Sequence, residues 1–185
     1  GAGEASFVVP GKTLSEISKL LDGESDDMVE VSHSRKHIIF QVSGYAVVSR
    51  LLEGEFLDYN AAIPKVSKTT VKINTRSLTD AVERTSLLIS DRLRSPIRLS
   101  AMDQKVQLNC STSMGKAHDE VDCEMSGEAV SMGFNNKYLM DALKASDCDM
   151  VKLEINGALS PMRILPLEGE SFLFLVLPVR VKNDD

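Results

Sequence analysis

The chain has 185 residues, of which 43 % are apolar and 26 % are charged, and its formal net charge is −6 at pH 7. This composition is typical of one folded domain or two small ones and excludes a disordered or collagen-like chain. The acidic balance also argues against a protein that coats nucleic acid with its whole surface, although a locally basic face is compatible with it.

Three segments of the chain, 8–17, 71–81 and 132–142, can be laid over one another. In that register one position is always basic, the second position after it is always leucine, and the fourth is always acidic. These residues are Lys12, Arg76 and Lys137; Leu14, Leu78 and Leu139; and Glu16, Asp80 and Asp141. The offsets are 64 and 61 residues, so the chain consists of three repeats of about sixty residues each.

Each repeat opens with a short run of strand type and continues as a helix. The strand-type runs cover 7–9, 71–73 and 131–134. Apolar residues at helical spacing then predict helices over 12–21, 76–90 and 136–145. An acid lies early in each of these helices, where the positive end of the helix dipole favours it.

Three runs of strand type follow each helix. They cover 28–32, 37–42 and 45–52; 97–102, 105–111 and 120–125; and 150–155, 162–165 and 172–181. Gly, Asn, Asp and Ser residues separate most of these runs, as hairpin turns require. The pattern predicts an α+β fold of three βαβββ repeats, with antiparallel sheets and the helices on one face.

The repeats also predict the domain organisation, because a pair of them makes a natural domain of about 120 residues. Segment 63–69 combines Pro64 with polar residues, and we place a boundary within it. Residues 1–66 then hold one repeat, and residues 67–185 hold a complete pair. A single repeat has a marginal core and an unpaired sheet edge, which predicts that the chain is part of a longer protein.

The helical windows are basic relative to the rest of the chain. They contain six bases and four acids, a net charge of +2, which leaves −8 for the remainder. The bases are Lys12, Lys19, Arg76, Arg84, Lys137 and Lys144. Such a face suits contact with phosphates without reading of base sequence. Lysines and arginines on helix faces are, however, usually only solvated charge.

The sequence carries no signal for membrane insertion or secretion. The first residues, GAGEASFVVPGK, lack a basic end followed by an apolar core, and no window reaches the roughly 18 unbroken apolar residues of a membrane span. Cys110, Cys123 and Cys148 are odd in number and too few for a disulfide framework. We therefore expect free thiols and a cytoplasmic protein that does not bind membranes.

Motifs for catalysis or cofactors are weak. Residues 11–13, GKT, resemble the end of a phosphate-binding loop, but that pattern requires glycine where Ser6 stands. A predicted turn separates His33 from His37, and the three cysteines lack the spacing of metal ligands. We therefore predict a protein that is not an enzyme and has no cofactor or metal. Catalytic residues that lie far apart in the sequence and meet only in the fold, such as a Ser-His-Asp triad, leave no spacing pattern by which the sequence would reveal them.

Five motifs carry a family resemblance when read in chain order. They are VVPGK at 8–12, GEFLDY at 54–59 followed by IP at 63–64, GFNNKYL at 133–139, SP at 160–161 and LPVR at 177–180. With these motifs the chain resembles the bacterial DNA sliding clamp, the β subunit of DNA polymerase III, over nearly its whole length. The resemblance implies a subunit of three domains, each a pair of repeats, that closes with a second subunit into a homodimeric ring around duplex DNA.

The present chain would comprise the second half of the middle clamp domain and the whole C-terminal clamp domain. The N-terminal domain, which forms the ring contact in the family, would be absent. The resemblance also implies that the six helical cations face DNA, and that water mediates the contacts because a sliding protein must not hold one phosphate tightly.

A partner-peptide cleft is a further implication of the resemblance. It would receive a short apolar motif from the replicative polymerase, the clamp loader and repair proteins, with apolar anchors supplying most of the affinity. The segment between the domains would contribute Leu57, Ala61 and Ala62, with Leu93 as a looser match. The C-terminal domain would contribute Asn135, Tyr138, Leu159, Pro161, Val176, Leu177, Pro178, Val179 and Arg180.

Two functions remain open at this point. The first is a processivity factor that encircles DNA and tethers the polymerase through the cleft. The second is a stand-alone peptide-binding adaptor that does not encircle DNA. For Phe172, Phe174 and Leu175 the sequence favours a buried central strand over a wall of the cleft.

Overall fold

A computed structural model describes residues 5–21, 28–89 and 95–181. They divide into two compact units, one ending at Asp58 and the other starting at Tyr59. The division lies before the boundary at residue 66 that the sequence predicted, and the 3₁₀-helix Tyr59–Ala62 is grouped with the second unit. None of the described helices is long and apolar enough to cross a membrane.

In its described residues, 5–21 and 28–58, the first unit contains one helix and a small antiparallel sheet. Its elements are α1 (Gly11–Leu20), β1 (Glu30–His33), β2 (His37–Val42) and β3 (Tyr45–Arg50), with the strands in the order β1-β2-β3. Ile17 on α1 packs against Ile38 and Phe40 on β2 to form a small core. All four residues of β1 are exposed.

The opening strand predicted at residues 7–9 is wrong in extent. Within the described part of the first unit it is reduced to one bridge between Val8 and Leu52, supported by the Leu52 N–H, which donates to the Val8 carbonyl at 2.9 Å. A two-residue contact of this kind does not make a ladder. In the second unit, the corresponding strands of the other repeats each pair with a strand from the neighbouring repeat.

The second unit holds two repeats. Its elements are β4 (Thr69–Asn74), α2 (Thr75–Ser86), β5 (Ile97–Met102), β6 (Lys105–Thr112), β7 (Gly115–Asp122), β8 (Glu124–Gly127), β9 (Val130–Phe134), α3 (Asn136–Ala145), β10 (Met150–Ile155), β11 (Met162–Pro166), β12 (Phe174–Val176) and β13 (Pro178–Val179). They form two five-stranded antiparallel sheets, β12-β11-β10-β4-β8 and β13-β9-β5-β6-β7.

The two sheets are assembled by exchange between the repeats. The first strand of each repeat leaves its own hairpins and pairs with the second strand of the other, so that β4 pairs with β10 and β9 pairs with β5. The last strand of each repeat then pairs with the first strand of the same repeat, β8 with β4 and β13 with β9, and so joins the exchanged sheet. Neither repeat of this unit completes a sheet alone, which explains why they occur as a pair.

Two predicted strands are wrong as single strands because the chain changes sheets within them. Cys123 separates β7 from β8, and Leu177 separates β12 from β13. The helix predicted to residue 90 ends at Ser86. There the Thr85 and Ser86 hydroxyls donate to backbone carbonyls of the preceding turn at 2.7 and 2.6 Å, and the Leu87 N–H closes a tighter turn on Arg84.

One core joins the two repeats. Alternate residues of the strands and one stripe of each helix are buried together, including Leu78 and Val82 on α2 and Leu139 and Leu143 on α3. Full burial of each such leucine contributes roughly 1.5–3 kcal/mol. The polar sides of both helices remain at the surface and carry the cations noted in the sequence.

Candidate functional site

An apolar groove lies between α3 and the strand β12, with a volume of about 510 Å³. We call it the α3–β12 groove; α3 lines it with Tyr138, Asp141, Ala142 and Ala145, and the segment around β12 lines it with residues 173–177. Tyr138 and Leu177 are each 62 % exposed, whereas Val176 is buried at the base. An exposed apolar concavity of this kind is typical of a binding site for an apolar ligand.

The start of α3 positions one wall of this groove. The Asn135 side chain accepts a hydrogen bond from the Lys137 N–H at 2.9 Å and so caps the helix. Leu139 and Leu143 are buried in the core, which turns Tyr138 towards solvent at the rim. The small side chains of Ala142 and Ala145 then leave the space that forms the groove.

Leu177 owes its exposure to the point at which the chain changes sheets. Val176 pairs with Met162 in one sheet, and Pro178 pairs with Phe134 in the other. The residue between them belongs to neither ladder, and its side chain is left at the surface. An apolar side chain at such a crossing is held by the two flanking ladders, which favours a preformed anchor point.

A second groove, the β9–β13 groove, has a volume of about 430 Å³. Its lining includes Leu159, Val179 and Arg180, together with Gly133 on β9. A β-carbon at Gly133 would lie 2.7 Å from the Val179 carbonyl oxygen and would also collide with the Val181 side chain. Glycine is therefore needed for β13 to approach β9 closely.

The structure distributes the predicted cleft residues unevenly. Tyr138, Val176 and Leu177 line the α3–β12 groove, and Leu159, Val179 and Arg180 line the β9–β13 groove. The remaining predicted residues of the second unit line neither groove; they are Ala61, Ala62, Asn135, Pro161 and Pro178. Leu57 is exposed and belongs to the first unit, and Leu93 lies outside the described residues.

The sequence did not place Asp141, Ala142, Ala145 and Leu173 in the cleft. The prediction of a buried central strand for Phe174 and Leu175 is wrong, because β12 is the edge strand of its sheet and both residues are half-buried and line the α3–β12 groove. Helical spacing predicts Asp141, Ala142 and Ala145, because residues three, four and seven positions after Tyr138 lie on the same face of the helix. Strand alternation from Leu177 was the signal for Leu173 and Leu175.

The six helical cations are all exposed. Lys19 is paired with Glu16 at 2.8 Å, and Arg76 lies 4.0 Å from Asp80. Lys12, Lys137 and Lys144 form no ion pair with another described residue. The ammonium groups of Lys12, Lys137 and Lys144 are therefore available for an anionic partner.

Arg84 differs from the other cations because a strand carboxylate engages it. Its Nε donates to Asp119 on β7 at 2.7 Å, which ties α2 to that strand. The hydrogen bond from Arg84 lowers the pKa of Asp119, and the same bond raises the pKa of the guanidinium. Any anion that binds Arg84 must compete with this carboxylate.

Two features that bear on catalysis are the thiols of the described cysteines and the His, Cys, Asp and Glu side chains as possible metal ligands. Burial raises the pKa of the Cys110 and Cys123 thiols, which disfavours the nucleophilic thiolate. Cys148 donates to the Met150 carbonyl at 3.2 Å. Within residues 5–21, 28–89 and 95–181, no group of three or more His, Cys, Asp or Glu side chains is arranged to hold a metal ion.

Comparison with protein families matches both parts of the chain. Residues 60–180 match the family described as DNA polymerase III beta subunit, C-terminal domain. Residues 1–58 match the family described as DNA polymerase III beta subunit, central domain. Together the two families account for nearly the whole sequence, in the order in which the resemblance places them.

Individual relatives agree with these matches. The beta sliding clamp of Staphylococcus epidermidis is 33 % identical over 177 residues, which are 95 % of this chain and 47 % of the relative. The crystal structure of the Bacillus subtilis DNA polymerase sliding clamp is 31 % identical, with a TM-score of 0.85 over 95 % of this chain and 47 % of that one.

A third comparison is with the Bartonella birtlesii DnaN sliding clamp bound to griselimycin, which is 28 % identical with a TM-score of 0.86, over 95 % of this chain and 47 % of that one. The chain thus spans about half the length of the relatives it matches. These matches confirm the predicted α+β clamp fold, and the chain belongs to the DNA polymerase III beta subunit family, the sliding clamps.

Proposed function

We propose that this chain is the peptide-binding part of a processivity factor, which as a full-length ring encircles duplex DNA and tethers the replicative polymerase. The observation that carries the proposal is the α3–β12 groove, an exposed apolar concavity within the part that matches the family's C-terminal domain. The groove has about the size that a few apolar side chains of a short peptide would fill.

Within the groove, Leu177 and Tyr138 are the anchors of the proposal. Both side chains are well exposed in the free protein, so a partner that covers them removes apolar surface from water. Anchors of this type carry a disproportionate share of binding energy when surrounded by a rim that excludes water. The proposed ligands are short apolar motifs of the polymerase, the clamp loader and repair proteins.

For DNA, we propose that the helical cations act as a loose electrostatic lining. Lys137 and Lys144 on α3 and Lys12 on α1 are exposed and unpaired within the described residues, which suits sequence-independent phosphate contacts. Arg84 contributes less, because Asp119 partly neutralises it.

A homodimeric ring requires a surface through which the two subunits bind each other, and the edge strand β7 is a candidate for it. The sheet order ends at β7, an eight-residue strand without a partner on its outer side among the described strands. Leu87 at the end of α2 and Met114 in the turn before β7 are both exposed. An open edge flanked by apolar side chains favours addition of a strand from another subunit. We place the ring contact there.

The topological part of the proposal is tested on the full-length subunit, loaded onto nicked circular DNA or onto the same DNA after linearisation. A ring is retained on the circle and lost from the ends of the linear molecule. Equal loss from both would support the adaptor alternative instead. We further propose that the protein acts in the cytoplasm and is not itself an enzyme.

A further inference from the structure

A polar concavity covers part of the outer face of the sheet β13-β9-β5-β6-β7, and its volume is about 970 Å³. We call it the basic groove. Along β5, Leu99 faces the core that contains α2, whereas Arg98 and Ser100 alternate with it and face outward. The basic groove therefore lies on the side of the sheet opposite the helices and their cations.

The register of the strands brings the lining residues together. Gly133, Arg98, Asn109 and His118 are successive partners across β9, β5, β6 and β7 and form one row on the outer face. Neighbouring members of such a row lie about 5 Å apart. Lys116 lies two residues before His118 on the same face of β7. One guanidinium, one imidazole and one ammonium group thus border a common space.

The floor of the basic groove consists of small polar groups. The Ser100 hydroxyl donates to the Ser131 hydroxyl at 2.9 Å, and His118 Nδ1 lies 2.8 Å from Asn109 Oδ1. Short hydroxyl and amide groups between cations match the hydrogen-bonding needs of carboxylate oxygens.

The charge of the lining contrasts with that of the chain. Arg98, Lys116 and Arg180 line the basic groove together with His118, and no carboxylate does so among the described residues. The chain as a whole carries a net charge of −6. A cationic concavity on an acidic protein selects an anionic ligand by charge complementarity.

The basic groove is continuous with the β9–β13 groove, because Arg98, Arg180 and Val181 line both. We propose that it binds an acidic segment that flanks the apolar motif of a partner peptide, so that Lys116 selects among partners. This inference rests on the proposed function, in which the apolar motif binds in the α3–β12 groove. Val179 of the β9–β13 groove lies two residues after Leu177 of the α3–β12 groove, and the flanking acidic segment would continue from there into the basic groove. Duplex DNA held by the helices would lie on the other side of the sheet.

The test uses three fluorescent peptides and the chain itself. The first carries an apolar clamp-binding motif, the second adds a short run of glutamates, and the third adds glutamines instead. We expect the glutamate peptide to bind about tenfold more tightly than the glutamine peptide at low salt, because a few exposed charge pairs act together. The advantage should shrink at high salt, as screening requires.

Substitutions at Lys116 identify where the acidic segment binds. Lys116→Gln should remove part of the advantage and Lys116→Glu most of it, while binding of the glutamine peptide stays unchanged. Lys36→Glu changes the charge equally at an exposed site of the first unit and should leave the advantage intact. A glutamate advantage that survives Lys116→Glu would overturn the inference.

The outcomes also separate this inference from the proposed function. Equal binding of the glutamate and glutamine peptides overturns the inference and leaves the apolar site standing. Binding of only the glutamate peptide, abolished by Lys116→Glu, supports the basic groove and contradicts the apolar site. No binding of any peptide overturns both. A single-stranded oligonucleotide that displaces the glutamate peptide and binds more tightly would replace the acidic segment as the ligand.

Discussion

Replacement of Gly133 by alanine is expected to separate β13 from β9. The new β-carbon would lie 2.7 Å from the Val179 carbonyl oxygen, and it would also overlap the side chain of Val181. Both obstacles are stiff, because one is backbone and the other is a β-branched residue. The contact is relieved only if the last strand moves away.

Forced insertion of a methyl group into a packed site costs about 1–3 kcal/mol. We therefore expect Gly133→Ala to lower the free energy of unfolding of the second unit by about 2 kcal/mol. If the strain is relieved by release of β13, the β9–β13 groove is distorted, and Leu177 in the α3–β12 groove loses one of the two strand pairings that flank it. An apolar peptide should then bind more weakly, by at most roughly thirtyfold for the same energy.

The matched control is Gly11→Ala at the start of α1. No atom lies within 4 Å of the β-carbon there, so the same substitution should be neutral or slightly stabilising. Urea denaturation followed by circular dichroism measures stability, and hydrogen exchange of the β9 amides reports the pairing. Unchanged stability and unchanged β9 protection in Gly133→Ala would refute the described packing of β13.

Three further predictions concern stability. The Arg84 guanidinium holds the pKa of Asp119 below its ordinary value. The pair therefore stabilises the fold fully above the unfolded pKa of about 3.9, and this stabilisation is lost as the pH falls through the folded pKa. Asp119→Asn should remove this acid-side dependence from a plot of the urea midpoint against pH. Amides of residues 28–50 should exchange faster than those of β5 and β10, because the first unit has only a small core, and uniformly slow exchange would contradict this. Leu153→Ala should cost about 2–5 kcal/mol because the side chain is fully buried, whereas Leu159→Ala at an exposed site should cost less than about 0.5 kcal/mol in a thermal or urea melt.

The repeat was readable from sequence because the same physical demands recur in each copy. In the second unit the leucine two positions after the basic residue is fully buried, as Leu78 on α2 and Leu139 on α3, although the equivalent Leu14 on α1 is exposed. Strand exchange between repeats was not readable, because pairing of β4 with β10 depends on contacts between distant parts of the chain. Breaks at Cys123 and Leu177 follow from that exchange and leave no local signal.

The site was predictable only in part. Tyr138 and Leu177 came from the family resemblance, and the structure places both in one groove. Ala142 belongs to the buried core and also lines the groove, a double role that the sequence does not reveal. The basic groove was not predictable from the sequence, because its residues come together only through the register of three strands. Arg98 lies on β5, whereas Lys116 and His118 lie on β7.

The most direct test of the account is a titration of this chain with a fluorescent peptide that carries an apolar clamp-binding motif. We expect saturable binding that Leu177→Asp abolishes, because a charge at the exposed anchor cannot be desolvated at low cost. Met114→Asp, which places the same charge on an exposed apolar residue in the turn before β7, should bind as the unchanged chain does. Equal binding by Leu177→Asp and the unchanged chain, or no binding by the unchanged chain, would contradict the claim that the α3–β12 groove receives the partner peptide.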